Sequence, residues 1–150
     1  MNHEQFMRMA IEEGRRSLAE GGRAFACVLV NDEDEDVVAS GHNQVLQEGD
    51  PTAHAEMLAI RAAARALGSA RLVDCDVYAT LEPCAMCAQA IAFARLRRLY
   101  FGASDAKGGG VEHGARIFSQ PTCHHRPGVY GGIAETESAA LLKDFFKARR

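Results

Sequence analysis

The sequence predicts a three-layer α/β/α sandwich built around a five-stranded mixed sheet. Strand-like apolar runs alternate with helical runs along the chain, and a short acidic turn joins the first two strand-like runs. Alternating strands and helices are typical of parallel crossover connections, whereas a short polar turn joins antiparallel neighbours. A chain of 150 residues has the usual size of one domain with a full core, so residues 1–150 are predicted to form a single domain.

The elements are predicted from hydrophobic periodicity and from glycine, proline and capping signals. The helix after the second strand is expected to begin at residues 50–52, where Asp50 or Thr52 can cap it. Residues 103–128 are rich in Gly, Pro, His and Ser, and a loop of that length indicates a functional role. The predicted strands are residues 23–30, 37–43, 76–80, 97–102 and 129–133, and the predicted helices are residues 4–20, 53–67, 84–95 and 135–150.

Composition points to an ordinary globular protein, with 47% hydrophobic and 25% charged residues. No apolar run approaches the ~20 residues of a membrane helix, and the N-terminus lacks the pattern of a signal peptide. We therefore expect a cytoplasmic protein whose five cysteines are reduced.

Charge is distributed unevenly along the chain, although the net charge is only -3. Residues 1–94 hold 7 Lys and Arg against 15 Asp and Glu, whereas residues 95–150 hold 10 against 5. The basic C-terminal third is an electrostatic footprint that phosphate groups of a nucleic acid could use, if its charges share one face.

Two short motifs carry the chemistry, and both lie where a strand-like run gives way to a helical one. The first is His54-Ala55-Glu56, and the second is Pro83-Cys84-Ala85-Met86-Cys87. One His and two Cys are good zinc ligands, and three protein ligands leave a tetrahedral ion with one open position. His-x-Glu followed by Pro-Cys-x-x-Cys is the signature of zinc-dependent base deaminases. The predicted ligands of one zinc ion per chain are His54, Cys84 and Cys87.

The motifs also predict a mechanism, in which Glu56 is the catalytic residue. Glu56 would take a proton from a zinc-bound water, and the resulting hydroxide would attack the ring carbon that bears the amino group. Glu56 would then pass the proton to the ring nitrogen and to the departing ammonia. Backbone N–H groups at the two helix starts, around Ala55 and Cys84, would orient the attacking oxygen.

A closed structural zinc site is the main alternative for these motifs. It would take its fourth ligand from Cys75, Cys123, His42 or His124. It would also leave Glu56 beside the metal with no role, which favours the catalytic interpretation.

At these motifs the chain resembles the cytidine deaminase superfamily, and beyond them it resembles the bacterial branch that deaminates adenosine to inosine at the wobble position of tRNA. The resemblance covers almost the whole chain, and its matching segments are residues 50–56, 80–87, 101–107 and 140–150. It implies the cytidine deaminase-like fold, a homodimer and contact with the tRNA anticodon loop. By the resemblance, Asn43 would hydrogen-bond the flipped nucleotide, and Asp105 and Lys107 would touch the anticodon loop. Phe145, Phe146 and Arg149 would belong to a C-terminal helix that packs beside the bound loop. Ala55, through its backbone N–H group, completes the predicted substrate-binding residues.

One segment departs from that branch. Residues 22–27 read Gly-Arg-Ala-Phe-Ala-Cys where the family usually carries Glu-x-Pro-x-Gly-Ala. Ala26 and Cys27 add bulk near the expected base pocket, with Ala24 in place of the proline. Deamination of a free base or nucleoside, such as guanine or cytosine, is therefore the alternative function, and a zinc-stabilised RNA-binding module without catalysis is a third.

Overall fold

The computed structural model describes residues 2–148, in which strands and helices alternate as the sequence predicts. The strands are β1 (Ala26–Asn31), β2 (Val37–His42), β3 (Cys75–Leu81), β4 (Arg98–Ala103) and β5 (Gly128–Tyr130). The helices are α1 (His3–Ala19), α2 (Val45–Glu48), α3 (Ala55–Leu67), α4 (Ala85–Phe93) and α5 (Glu135–Ala148), with a 3-10 helix at Ile117–Ser119.

The five strands form one mixed sheet in the order β2-β1-β3-β4-β5. β1 pairs antiparallel with both β2 and β3, whereas β3, β4 and β5 are parallel. β2 and β3 therefore run in the same direction, and the connection through α3 is a parallel crossover. The predicted five-stranded mixed sheet is confirmed.

Helices cover both faces of the sheet and enclose two apolar cores. α1 and α5 pack on one face around Met7, Tyr78 and Leu141, while α3 and α4 pack on the other around Leu29 and neighbouring side chains. The alternation of side chains along each strand supplies both cores from the same strands. This arrangement confirms the predicted three-layer sandwich.

The start of α3 differs from the prediction. The helix begins at Ala55, and His54 is its N-cap residue. Asp50 instead accepts hydrogen bonds from both the backbone nitrogen and the hydroxyl of Thr52, each at 2.8 Å, and closes a turn before the helix. Short polar side chains that bond their own backbone favour such turns over helix. His54, a predicted zinc ligand, is thereby placed at the helix start.

Two short elements were not predicted, because each is too short to show a period. They are α2, of 4 residues, and the 3-10 helix, of 3 residues, which lies inside the predicted loop. β1 begins at Ala26, three residues later than predicted, so residues 23–25 lead into the strand and are not part of it. Within residues 2–148, no helix combines the length and the apolar character needed to cross a membrane.

Candidate active site

The two predicted motifs meet at the starts of α3 and α4. Nδ1 of His54 lies 3.5 Å from the sulfur of Cys84 and 3.5 Å from that of Cys87. All three donor atoms lie within 4.8 Å of one another, and residues 2–148 hold no other such group of potential metal-binding side chains. A backbone hydrogen bond of 2.9 Å from Gln44 to Ala53 ties the end of β2 to the segment that carries His54.

Glycines allow the close packing that brings these helix starts together. A Cβ atom on Gly41 of β2 would lie 2.7 Å from the carbonyl oxygen of Ala55, so α3 could not approach the strand as it does. A Cβ atom on Gly110 would lie 2.7 Å from the carbonyl carbon of Cys84. At both positions, the missing side chain lets two backbone segments come into direct contact beside the site.

The donor set fits zinc. Cys84 and Cys87 are three positions apart at a helix start, where the helix dipole favours thiolate over thiol. A hydrogen bond from Cys87 and the adjacent His54 ring lower the pKa of the Cys84 thiol, despite its partial burial. Two thiolates and a neutral imidazole balance the charge of Zn²⁺ and leave one coordination position for water.

The side chains proposed as a fourth, closing ligand are engaged elsewhere or lie apart from this group. Cys123 donates to the carbonyl oxygen of His125 at 3.1 Å, and Nδ1 of His42 bonds the carboxylate of Glu13 at 2.8 Å. Cys75 belongs to the apolar core, and His124 is not part of the cluster. In the described part of the chain the ligand set is therefore the open, three-residue set.

Glu56 lies in the first turn of α3 and lines the same cavity as His54 and Cys84. Its side chain is only 8% exposed, and burial raises the pKa of Glu56 to about 7. A carboxyl group with that pKa can both take and give a proton near neutral pH. Ala55 is buried at the first position of the helix, where the backbone N–H has no partner within the helix.

The cavity has a volume of about 240 Å³. This is below the ~300–1,000 Å³ of pockets for drug-sized ligands and suits a single base. Asn43 is 3% exposed, and its Oδ1 accepts a hydrogen bond from the backbone of Val45, which turns its NH₂ group away from that contact. The lining residues are Arg23, Phe25, Ala26, Asn43, His54, Glu56, Thr80, Leu81, Glu82, Cys84, Asp105 and Gly108.

Of the remaining predicted substrate residues that the structure describes, only Asp105 lines this cavity. Asp105 lines it and holds a tight turn, in which its carboxylate accepts hydrogen bonds from the backbone of Lys107 and Gly108. Lys107 is exposed on that turn. On α5, Phe146 is 57% exposed, whereas Phe145 is buried and packs against Phe25, with ring centroids 5.4 Å apart. The predicted residue Arg149 lies outside the described residues.

Glu82 organises the loop at the mouth of the cavity, a role that sequence reasoning did not identify. Its buried carboxylate accepts hydrogen bonds from the backbone nitrogens of Asp105, Val111, Glu112 and His113, at 3.0–3.2 Å. Burial opposes ionisation, but these bonds and one from the His113 ring lower the pKa of Glu82 below its ordinary value. The only sequence signal was a charged residue directly after a strand and before the Pro-Cys pair.

Arg23 and Phe25 also line the cavity and were not predicted as site residues. The signal was available, because both belong to the segment that departs from the family pattern. Ala26 lines the cavity as expected, whereas Cys27 lies behind the cavity wall. Cys27 is fully buried in the core beneath α3 and is not among the cavity-lining residues in the described chain.

The fold and the site together define a zinc-binding deaminase. Residues 1–103 match the cytidine and deoxycytidylate deaminase zinc-binding region, which agrees with the ligand set found in the structure.

Similarity to individual proteins shows to which branch of the deaminases the chain belongs. The chain is 52% identical to a tRNA-specific adenosine deaminase of Agrobacterium fabrum, over 97% of this chain and 94% of the relative. A structure from a study of A-to-I editing by tRNA:A34 deaminases shares 52% identity, with a TM-score of 0.87 over 91% of this chain and 98% of that one. A guanine deaminase from Bacillus subtilis is 31% identical, with a TM-score of 0.67 over 98% of this chain and 95% of that one. The chain belongs to the family of tRNA-specific adenosine deaminases.

Proposed function

We propose that the protein hydrolytically deaminates adenosine to inosine at the wobble position of tRNA. The observation that carries the proposal is the convergence of His54, Cys84 and Cys87 beside the buried Glu56, in a cavity of about 240 Å³. The 52% identity to the Agrobacterium tRNA-specific adenosine deaminase supports adenosine in tRNA as the substrate.

In the proposed mechanism, Glu56 moves the protons. When bound at His54, Cys84 and Cys87, zinc supplies the Lewis acidity that activates water for attack. Glu56 accepts one proton from the attacking water and delivers it to the ring nitrogen. It then takes the second proton from the hydroxyl group added to the ring carbon and gives it to the amino group, which leaves as ammonia. The free N–H groups at the two helix starts, including that of Ala55, orient the oxygen.

The substrate is positioned by polar groups around the cavity and by the loop at its mouth. The NH₂ group of Asn43 donates to the inserted nucleotide, because its Oδ1 is already bonded to Val45. Asp105 and Lys107 contact the anticodon loop from the turn that Glu82 anchors. Exposed Phe146 offers an aromatic surface beside the bound RNA, and buried Phe145 supports the cavity wall through Phe25.

The test is an ammonia-release assay on a panel of substrates. The panel holds an anticodon stem-loop with adenosine at the wobble position, the same loop with guanosine there, and free guanine, cytosine, adenosine and cytidine. We expect ammonia from the adenosine stem-loop alone, with inosine in the digested product. A Glu56→Ala preparation measured in parallel accounts for contaminating activity.

Deamination of a free base is the second candidate function. Two observations favour it: the 31% identical guanine deaminase and the methyl group that Ala26 adds to the cavity wall. Turnover of free guanine or cytosine, with none on the stem-loop, would establish it in place of tRNA editing. No ammonia from any substrate, together with RNA binding, would indicate the non-catalytic zinc module.

We also propose that residues 1–150 form one deaminase domain that acts as a homodimer in the cytoplasm, where tRNA is found. The family resemblance implies the dimer, and exposed apolar side chains give it support, with Phe93 at the end of α4 73% exposed and Leu46 56% exposed. Light scattering should give twice the chain mass of 16.2 kDa. A mass of one chain at assay concentrations would contradict the dimer.

A further inference from the structure

Arg23 lines the cavity that holds the candidate active site and carries an unsatisfied hydrogen-bond donor. Its side chain lines that cavity, and the residue is half-buried on the approach to β1. Its Nε atom is buried and has no hydrogen-bond partner among residues 2–148. Buried polar groups in folded proteins are nearly always paired, so an unpaired donor on a side chain that lines a binding cavity is available to a ligand toward which that side chain can turn.

The charge of the cavity makes this donor distinctive. Within the described chain, Arg23 is the only lysine or arginine among the lining residues, which otherwise include the acids Glu56, Glu82 and Asp105. Guanidinium is always protonated and presents a planar fork of N–H donors that matches the oxygens of a phosphate. The group that it would attract is therefore an anion.

The positions of the groups show which part of a nucleotide this would be. The metal-binding cluster and Glu56 act on the base, and Glu56 and Cys87 are buried. Arg23 is half-buried and lines the cavity from a separate segment that precedes β1. A nucleotide whose base occupies the cavity keeps its sugar and phosphate outside the buried end, where the long guanidinium side chain from that segment can meet them.

We propose that Arg23 binds the phosphodiester group next to the nucleotide whose base occupies the cavity. This inference rests on the proposed function and deepens it, because it makes the phosphate part of what the site recognises. A free base, which has no phosphate, would leave the guanidinium unpaired in the complex. The site would thereby favour a nucleotide within RNA over the same base alone.

The test combines a protein substitution with a neutralised phosphate. Kinetics of the wild type and of Arg23→Gln are measured on the adenosine stem-loop, and on loops with a methylphosphonate at the phosphate 5′ or 3′ of that adenosine. Arg71→Gln is the matched control, since Arg71 is an exposed arginine outside the cavity and its substitution removes the same charge. Zinc content and thermal unfolding of each variant show that the fold is retained.

We expect Arg23→Gln to raise KM about 10- to 100-fold on the native loop, as expected for the loss of a hydrogen bond to a charged group, with a smaller change in kcat. One of the two methylphosphonates should raise the wild-type KM similarly and have little further effect on Arg23→Gln. Arg71→Gln should behave as the wild type on every loop.

Additive effects of Arg23→Gln and both methylphosphonates would overturn the proposal, and so would an unchanged KM. Wild-type turnover of the unmodified loop tests the proposed function separately. If that turnover is absent, equilibrium binding of the same three loops to Glu56→Ala and to its Arg23→Gln double variant supplies the same comparison, and absence of binding would overturn both proposals.

Discussion

The carboxylate of Glu82 accepts a hydrogen bond from Nδ1 of His113 at 2.8 Å, although the two residues are 31 positions apart. Together with the four backbone bonds to the same carboxylate, this contact ties the loop at the cavity mouth to the strand end that leads into the Pro-Cys motif. The side chain of Glu82 is fully buried, so no water competes for these donors. The segment that carries Cys84 and the loop at the cavity mouth are thereby connected through one residue.

Glu82→Gln should therefore destabilise the protein and loosen the loop. The amide replaces an oxygen acceptor by a donor and leaves buried N–H groups unpaired, which costs about 1–3 kcal/mol. Urea unfolding should show a lower midpoint, and limited proteolysis should cut within residues 104–113. Glu112→Gln makes the same charge change at an exposed position of the loop and should have little effect. Equal stability of the two variants would remove the anchoring role.

Cys87→Ala should lose zinc and some stability. Purified wild type should hold about one zinc per chain, because one ligand set of this type is present among residues 2–148. Metal binding is coupled to folding, so removal of one thiolate lowers both the zinc content and the stability of the protein. Metal analysis by mass spectrometry checks the content. Cys123→Ala, at a buried cysteine outside the cluster, is the control. Undiminished zinc in Cys87→Ala would exclude Cys87 as a ligand.

Glu56→Gln should keep zinc and the fold but lose turnover. The amide has a similar shape and cannot shuttle protons, and general acid–base catalysis contributes about 10²–10⁴-fold in rate. Single-turnover assays on the stem-loop, alongside metal analysis, separate the two properties. A near-normal rate would favour the structural-zinc alternative over catalysis.

Gly41→Ala should weaken both stability and metal binding. The added methyl group would lie 2.7 Å from the carbonyl oxygen of Ala55 and would push α3 away from β2. Overpacking of this kind costs typically about 1–3 kcal/mol, and here the displaced helix start carries His54 and Glu56. Thermal unfolding and zinc titration measure the two effects. Ser40→Ala, at the neighbouring exposed position of the same strand, should change neither.

Lys107→Ala should weaken RNA binding and flatten its salt dependence. Each phosphate contact that is lost lowers the slope of log affinity against log salt by roughly 0.7–0.9. Stem-loop binding at several salt concentrations measures this slope, and Arg71→Ala is the control for net charge. A slope unchanged from the wild type would show that Lys107 makes no phosphate contact.

The basic C-terminal third shows what a count of charges along the sequence can and cannot predict. Residues 95–150 carry an excess of basic side chains, but the structure engages part of it internally. Arg97 binds the buried Asp76 at 2.7 Å and also Asp32, whereas Lys107 is exposed near the cavity mouth. Sequence alone could not distinguish the paired Arg97 from the exposed Lys107, because the acids that pair with Arg97 come from distant segments.

The sequence by itself determined the sheet, the layers and the zinc ligands, because those follow from local periodicity and from residue types at short spacing. Cys84 and Cys87 are three positions apart, a spacing that places them on one face of a helix. His54 and Glu56 are two positions apart, so a single helical turn brings both to the same site. Only the tertiary structure decided that Glu82 anchors the loop, that Cys27 faces the core and that Arg23 reaches the cavity. These three facts depend on contacts between segments far apart in the chain, and on which side of a strand faces a helix, which a linear pattern of residue types does not specify.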